Sequence, residues 1–67
     1  MHLRLSTIED SGTYKILVFG KFCVQYREDM YLPAIGETIE FNGKVSAGKI
    51  NGLIMLECYG MKPLKIN

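Results

Sequence analysis

The chain contains few residue types that carry out catalysis, and its sequence does not group them. His2 is the only histidine among 67 residues, and Cys23 and Cys58 lie far apart without a Cys-x-x-Cys pair. Nucleophilic catalysis needs a nucleophile beside a base and an orienting group. Structural zinc needs four nitrogen or sulfur ligands. We therefore predict no catalytic residue, no metal and no cofactor, and we interpret both cysteines as reduced and strand-borne.

The carboxylates offer one candidate position. Glu9-Asp10 and Glu28-Asp29 are adjacent pairs beside turn signals, and neighbours on extended chain point to opposite faces, so neither pair is expected to share a proton. Glu57 differs because apolar residues flank it on both sides. The glycines of the segment 48–52 lack the following helix that a phosphate-binding loop requires. We interpret that segment as a hairpin and keep Glu57 as a surface candidate.

A basic and aromatic pattern gives a second candidate site. Small barrels bind single-stranded nucleic acid with cationic side chains and stacking aromatics on an exposed strand face. The predicted nucleic-acid-binding residues are Lys15, Phe19, Lys21, Lys44 and Lys49. The formal net charge of only +1 argues against a polyanion binder that works by bulk electrostatics. Nucleic-acid binding is therefore an alternative rather than the first hypothesis.

Two segments with strand character come first in the chain. Residues 1–8 alternate apolar and polar side chains, which is typical of a half-buried strand. Residues 13–27 are rich in β-branched and aromatic types, with Gly20 in the middle. A glycine inside a strand often marks a bulge or sharp bend. The pattern predicts one long second strand, bent at Gly20, that belongs to both halves of a small barrel.

The second half of the chain predicts a meander. Strand-like segments 38–41, 44–50 and 53–59 are separated by Asn42-Gly43 and Asn51-Gly52, and Asn-Gly is the strongest short hairpin signal. Two-residue turns there predict the pairs Phe41–Lys44, Ile39–Ser46, Ile50–Leu53, Gly48–Met55 and Ser46–Glu57. The alternation of Leu64, Lys65 and Ile66 after Pro63 allows a short sixth strand at an edge.

These segments define the expected fold. We predict a single all-β domain spanning residues 1–67, with five or six antiparallel strands in a meander or partly closed barrel, SH3-like or OB-like. Short connections and the lack of a helical stretch favour the SH3-like or simple meander form. No stretch approaches the ~18 apolar residues of a membrane-spanning helix, and no apolar run near Met1 resembles a signal peptide. We expect a cytoplasmic protein that does not contact membranes.

The apolar content suggests an interaction surface. The chain is 48% hydrophobic, and its second and fifth segments carry apolar residues on both faces, whereas a small single-layer barrel buries one face of each strand. A large exposed apolar patch usually marks an interaction site. The candidate interface residues are Leu17, Phe19, Met55, Glu57 and Tyr59.

Three functional hypotheses follow from the sequence. The first is a non-enzymatic interaction protein that self-associates and binds or inhibits a protein partner, of the size and character of small proteins encoded by phages or mobile elements. The second is a small barrel that binds single-stranded nucleic acid. The third is a protein that sequesters a small anionic ligand at an oligomer interface.

Overall fold

A computed structural model describes residues 1–64 as an all-β structure with six strands and no α-helix in that range. The strands are β1 (His2–Arg4), β2 (Thr7–Asp10), β3 (Lys15–Phe19), β4 (Phe22–Gln25), β5 (Thr38–Ile50) and β6 (Leu53–Pro63). This confirms the predicted all-β class. The predicted terminal strand is not seen at Leu64, and the rest of that segment lies outside the described residues.

The six strands form one sheet in the order β1-β5-β6-β4-β3-β2. Four of the five ladders are antiparallel, whereas β4 runs parallel to β6 with Cys23 opposite Met55. The prediction of a purely antiparallel sheet is therefore wrong. A parallel pair needs a long crossover, and the long segment between β4 and β6, which includes β5, provides it.

The first predicted strand divides into two. β1 and β2 occupy opposite edges of the sheet, yet only Leu5 and Ser6 separate them. The amide of Leu5 donates to the carbonyl of Glu37 at 3.0 Å, and the amide of Ser6 donates to the carbonyl of Val18 at 2.7 Å. The sheet thus curls until one short segment contacts both of its edges. No ladder joins β1 to β2, so the sheet is not closed.

The predicted long second strand is a hairpin instead. Gly20 has a φ of 63° and occupies the first turn position between β3 and β4, where a type II′ turn requires glycine. Phe19 pairs with Phe22, and Leu17 pairs with Val24. In this two-residue turn, odd-numbered residues of β3 pair with even-numbered residues of β4 and share a face with them. A single strand continued through Gly20 would instead place Phe19 and Phe22 on opposite faces.

The first Asn-Gly signal is not a turn. Asn42 and Gly43 lie inside β5, where they lack the positive φ that a type I′ turn requires. Phe41 pairs with Met61 rather than Lys44, and Ile39 pairs with Pro63 rather than Ser46. The predicted third and fourth segments are therefore one strand of 13 residues.

The second Asn-Gly signal is a turn as predicted. Asn51 and Gly52 have φ values of 52° and 79°, which is the type I′ conformation, and Ile50 pairs with Leu53. The register then shifts between Val45 and Lys49, because three β5 residues lie opposite the single β6 residue Met55. The predicted Ser46–Glu57 pair is consequently wrong.

The concave face of the sheet encloses the main core. Its buried residues are Leu3, Leu5, Leu17, Phe19, Val24, Ile39, Phe41, Leu56 and Cys58. They come from β1, β3, β4, β5 and β6 and from the crossing segment. Half-buried Ile8 and Phe22 pack against them. Odd-numbered Leu3 and Leu5 face the core, whereas after them even-numbered Ile8 does so. The side that faces the core changes because the chain crosses from one edge of the sheet to the other at Leu5 and Ser6.

A second cluster covers the other face of the β3–β4 hairpin. Ile16, Val18 and Cys23 are buried there at 3%, 7% and 0% exposure. Ile50, Leu53 and Met55 from the β5–β6 hairpin pack against them. The chain thus covers much of its own second apolar face. Ile16, Val18 and Cys23 of the predicted second segment are therefore covered by residues of the same chain.

Candidate interaction surfaces

The residues with catalytic potential remain apart in the structure. Cys23 and Cys58 are buried on β4 and β6 and form no disulfide, and burial raises the pKa of both thiols. His2 is exposed on β1, at the register of Glu40. No group of three His, Cys, Asp or Glu side chains suited to a metal ion occurs among residues 1–64.

The structure separates the five predicted interface residues. Leu17 and Phe19 are 0% and 3% exposed and belong to the main core, so a partner cannot reach them without unfolding the sheet. Met55 is half-buried in the second cluster. Only Glu57 and Tyr59 are exposed. The apolar side of the predicted interface is therefore inside the protein.

Glu57 and Tyr59 occupy the outer side of β6. Glu57 pairs with Lys44 of β5, and its Oε2 lies 3.6 Å from the Lys44 ammonium in an exposed ion pair. Such a pair contributes only about 0–1 kcal/mol. Tyr59 is the extra β6 residue of a bulge, because Asn42 pairs with Gly60 and Gly43 with Cys58. The bulge turns Tyr59 outward.

The predicted nucleic-acid-binding lysines fall into two groups. Lys44 is held by Glu57, and Lys15 pairs with Asp10 on β2 while its ammonium lies 5.8 Å from the centre of the Tyr26 ring. Lys44 and Lys15 therefore already contact side chains of their own chain. Lys21 and Lys49 instead flank the same β6 residue, because the Ile54 amide donates to the carbonyl of Lys21 and Ile54 pairs with Lys49.

One side of β5 is open over most of its length. β1 pairs only with Thr38–Glu40, and the backbone groups of Met1 extend this contact to Phe41. No other strand of residues 1–64 pairs with this side of β5. From residue 42 to residue 50, β5 is thus an edge strand. We call this stretch the free edge.

The free edge was not indicated by the sequence. Reading Asn42-Gly43 as a turn predicted two short paired strands with no long unpaired side. Val45, at the middle of the free edge, is 60% exposed, although its partner Leu56 is buried. The main core ends at this level of the sheet. Val45 is exposed because the second half of β5 extends beyond the residues that would cover it, and the sequence does not indicate this extension.

The chain matches no family model, no curated protein and no solved structure. Of the residues that the structure describes, none form a helix of the length and apolarity needed to cross a bilayer. Function must therefore be argued from the surfaces described above.

Proposed function

We propose that this protein is a non-enzymatic interaction protein that self-associates by pairing the free edge of β5 with the same edge of a second copy. One observation carries the proposal: β5 has 13 residues, and β1 covers only its first few. An uncovered strand edge presents unpaired N–H and C=O groups that accept another strand. A protein partner with an extended segment would use the same edge.

The side chains of the free edge suit an antiparallel two-fold arrangement. A two-fold axis at Val45 places Val45 opposite its own copy and Lys44 opposite Ser46. Lys44 faces an uncharged serine and lies 3.6 Å from Glu57 of its own chain, so no like charges meet directly across the contact. An exposed β-branched residue at the axis gains apolar contact, and such cross-strand pairs each contribute roughly 0.2–1 kcal/mol.

The register irregularity limits how far the pairing extends. The shift between Val45 and Lys49 bends β5, and bulges are a common way to prevent indiscriminate edge pairing. The usable edge is therefore short and centred near Val45. We expect a reversible dimer rather than a growing fibril, because a two-fold contact uses the same edge on both copies.

Sedimentation equilibrium from micromolar to millimolar concentration tests the proposal with two matched variants. Val45→Lys places two ammonium groups opposite each other at the axis, whereas Ile35→Lys adds the same charge on a distant loop. Both parent side chains are exposed, at 60% and 64%, so both variants should fold, which circular dichroism would verify.

We expect the parent and Ile35→Lys to dimerise with equal dissociation constants and Val45→Lys to remain monomeric. A parent that is monomeric throughout the range would refute self-association. Equal dimerisation of all three proteins would refute the free edge as its site.

A further inference from the structure

A row of side chains across three strands forms a second surface, which meets the free edge at Lys49, two β6 positions from the level of Val45. Phe22 of β4 pairs with Ile54 of β6, and Ile54 pairs with Lys49 of β5. Residues directly opposite each other in a sheet share a face. The ammonium of Lys21 lies 5.8 Å from the centre of the Phe22 ring. The half-exposed ring of Phe22 thus belongs to a row that has an exposed lysine at each end. We call Lys21, Phe22, Ile54 and Lys49 the lysine–phenylalanine row.

The core supports the ring of Phe22. Phe22 packs against the main core and pairs with buried Phe19. The turn before it is fixed by Gly20, whose amide donates to the Ser6 hydroxyl oxygen at 2.9 Å. The amide of Ile54 donates to the carbonyl of Lys21 at 2.9 Å, which joins the end of this turn to β6. A rigid half-exposed ring is suited to stacking because little conformational freedom is lost on binding.

Positive charge continues on the other side of the same turn. An open cleft of about 490 Å³ lies there, lined by Arg4, Ser6, Gly20 and Ile35 among others. The Nε of Arg4 donates to the carbonyl of Gly36 at 3.2 Å, which holds the guanidinium at the cleft. Arg4 thus adds a second cation next to the turn that carries Lys21.

The cations of this region are not neutralised within the described chain. The ion pairs of residues 1–64 join Arg27 to Asp29, Lys44 to Glu57 and Lys62 to Glu40. None of them includes Arg4, Lys21 or Lys49. The carboxylate next to the cleft, Glu37, already accepts hydrogen bonds from the Tyr31 hydroxyl and the Ala34 amide.

We infer that the lysine–phenylalanine row binds single-stranded nucleic acid, with a base stacked on Phe22 and phosphates beside Lys21, Lys49 and Arg4. Stacking on an aromatic ring between cations is how such strands are held without sequence preference. The low net charge does not oppose this site, because attraction to phosphates depends on the local arrangement of charge. Phe22, rather than the buried Phe19, is the stacking residue.

Fluorescence anisotropy of labelled oligothymidylate, measured with the full chain at two salt concentrations, tests this site. Lys21→Gln/Lys49→Gln removes two cations of the row. Its matched control, Arg27→Gln/Lys62→Gln, removes two cations that are paired with carboxylates elsewhere. Both variants have the same net charge, and all four cationic side chains are exposed, so neither change disturbs the core.

We expect the row variant to bind at least about tenfold more weakly at low salt, with a log–log salt slope that is shallower by about 1.4, since each phosphate contact on a single strand contributes about 0.7. The control should bind like the parent protein. No binding by the parent at low salt, or equal weakening in both double variants, would overturn the inference.

Phe22→Leu separates stacking from simple charge attraction. Leucine keeps apolar contact with the core but has no aromatic face. We expect about tenfold weaker binding to oligothymidylate, with an unchanged thermal unfolding midpoint or a modest decrease. The parent should also prefer the single strand to a duplex of equal length, whose bases are already stacked. Unchanged affinity of a folded Phe22→Leu protein, or equal affinity for duplex, would overturn the assignment.

Discussion

The phenolic hydroxyl of Tyr31 donates a 2.6 Å hydrogen bond to Oε2 of Glu37 across the connection between β4 and β5. The other carboxylate oxygen of Glu37 accepts the amide of Ala34 at 2.9 Å. These two bonds, the Tyr31 hydroxyl first, hold the pKa of Glu37 below its ordinary value of 4.5. The same hydrogen bond raises the pKa of Tyr31. One carboxylate thus organises the loop that leads into β5.

The depressed pKa of Glu37 predicts how this loop responds to acid. A carboxyl group whose pKa is lower in the folded state stabilises that state above its unfolded pKa, and this contribution is lost as pH falls through the folded pKa. We expect the contacts around Tyr31 to weaken only below the ordinary pKa of 4.5. A nuclear magnetic resonance titration of the Glu37 carboxyl carbon measures this directly.

Tyr31→Phe tests whether the Tyr31 hydroxyl lowers the pKa of Glu37, with Tyr14→Phe as the control. Removing the Tyr31 hydroxyl should raise the pKa of Glu37 toward its ordinary value, because the carboxylate loses its strongest donor. The Tyr14 hydroxyl makes no hydrogen bond to Glu37, so its removal should leave the titration unchanged. A Glu37 pKa at or above 4.5 in the parent protein would show that the two bonds do not hold in solution.

Gly43 is predicted to be intolerant of any side chain. A Cβ atom there would overlap the backbone carbonyl oxygen of Glu57 and approach the Phe41 ring to 2.8 Å. The carbonyl belongs to the paired strand and cannot turn aside. We expect Gly43→Ala to lower the free energy of unfolding by about 1–3 kcal/mol, as overpacking does, in urea denaturation.

Gly60, which pairs with Asn42 in the same bulge, is the matched control. A Cβ on Gly60 would meet nothing within 4 Å. Gly60→Ala should therefore change stability by no more than about 0.5 kcal/mol. If both variants were equally stable, the close approach of β5 and β6 at Gly43 would be refuted.

The second apolar cluster is predicted to stabilise the monomer. Ile16 is 3% exposed there, and truncating a buried isoleucine to alanine costs about 2–5 kcal/mol. Ile16→Ala should therefore show a large loss of stability that does not depend on protein concentration. Tyr14→Ala, which changes an exposed residue just before β3, should have a small effect. Loss of stability that grew on dilution would instead show that a second chain covers Ile16.

The sequence correctly predicted the features that depend on short-range chemistry. Asn51-Gly52 forms its type I′ turn because both residues adopt positive φ readily. The all-β class followed from β-branched and aromatic residues in short alternating segments. These features need only a few neighbouring residues, so a local pattern is enough to indicate them.

The same local rules failed where distant residues decided the outcome. Asn42-Gly43 has the hairpin pattern, yet β6 extends past it and pairs with β5 on both sides of it. At that point the requirement for glycine comes from the carbonyl of Glu57 rather than from a turn. Gly20 was interpreted as a bend within one strand, whereas it forms a turn that exchanges the faces of all following residues.

The candidate surfaces depended on these long-range choices. The sequence made Phe19 a candidate site residue and passed over Phe22, because a single alternation was carried through Gly20. The sequence by itself determined that this chain is all-β and that Asn51-Gly52 forms a turn. Only the tertiary structure decided which faces are covered, which edge is free and which lysines flank Ile54, because strand pairing joins residues whose order in the chain does not indicate their partners.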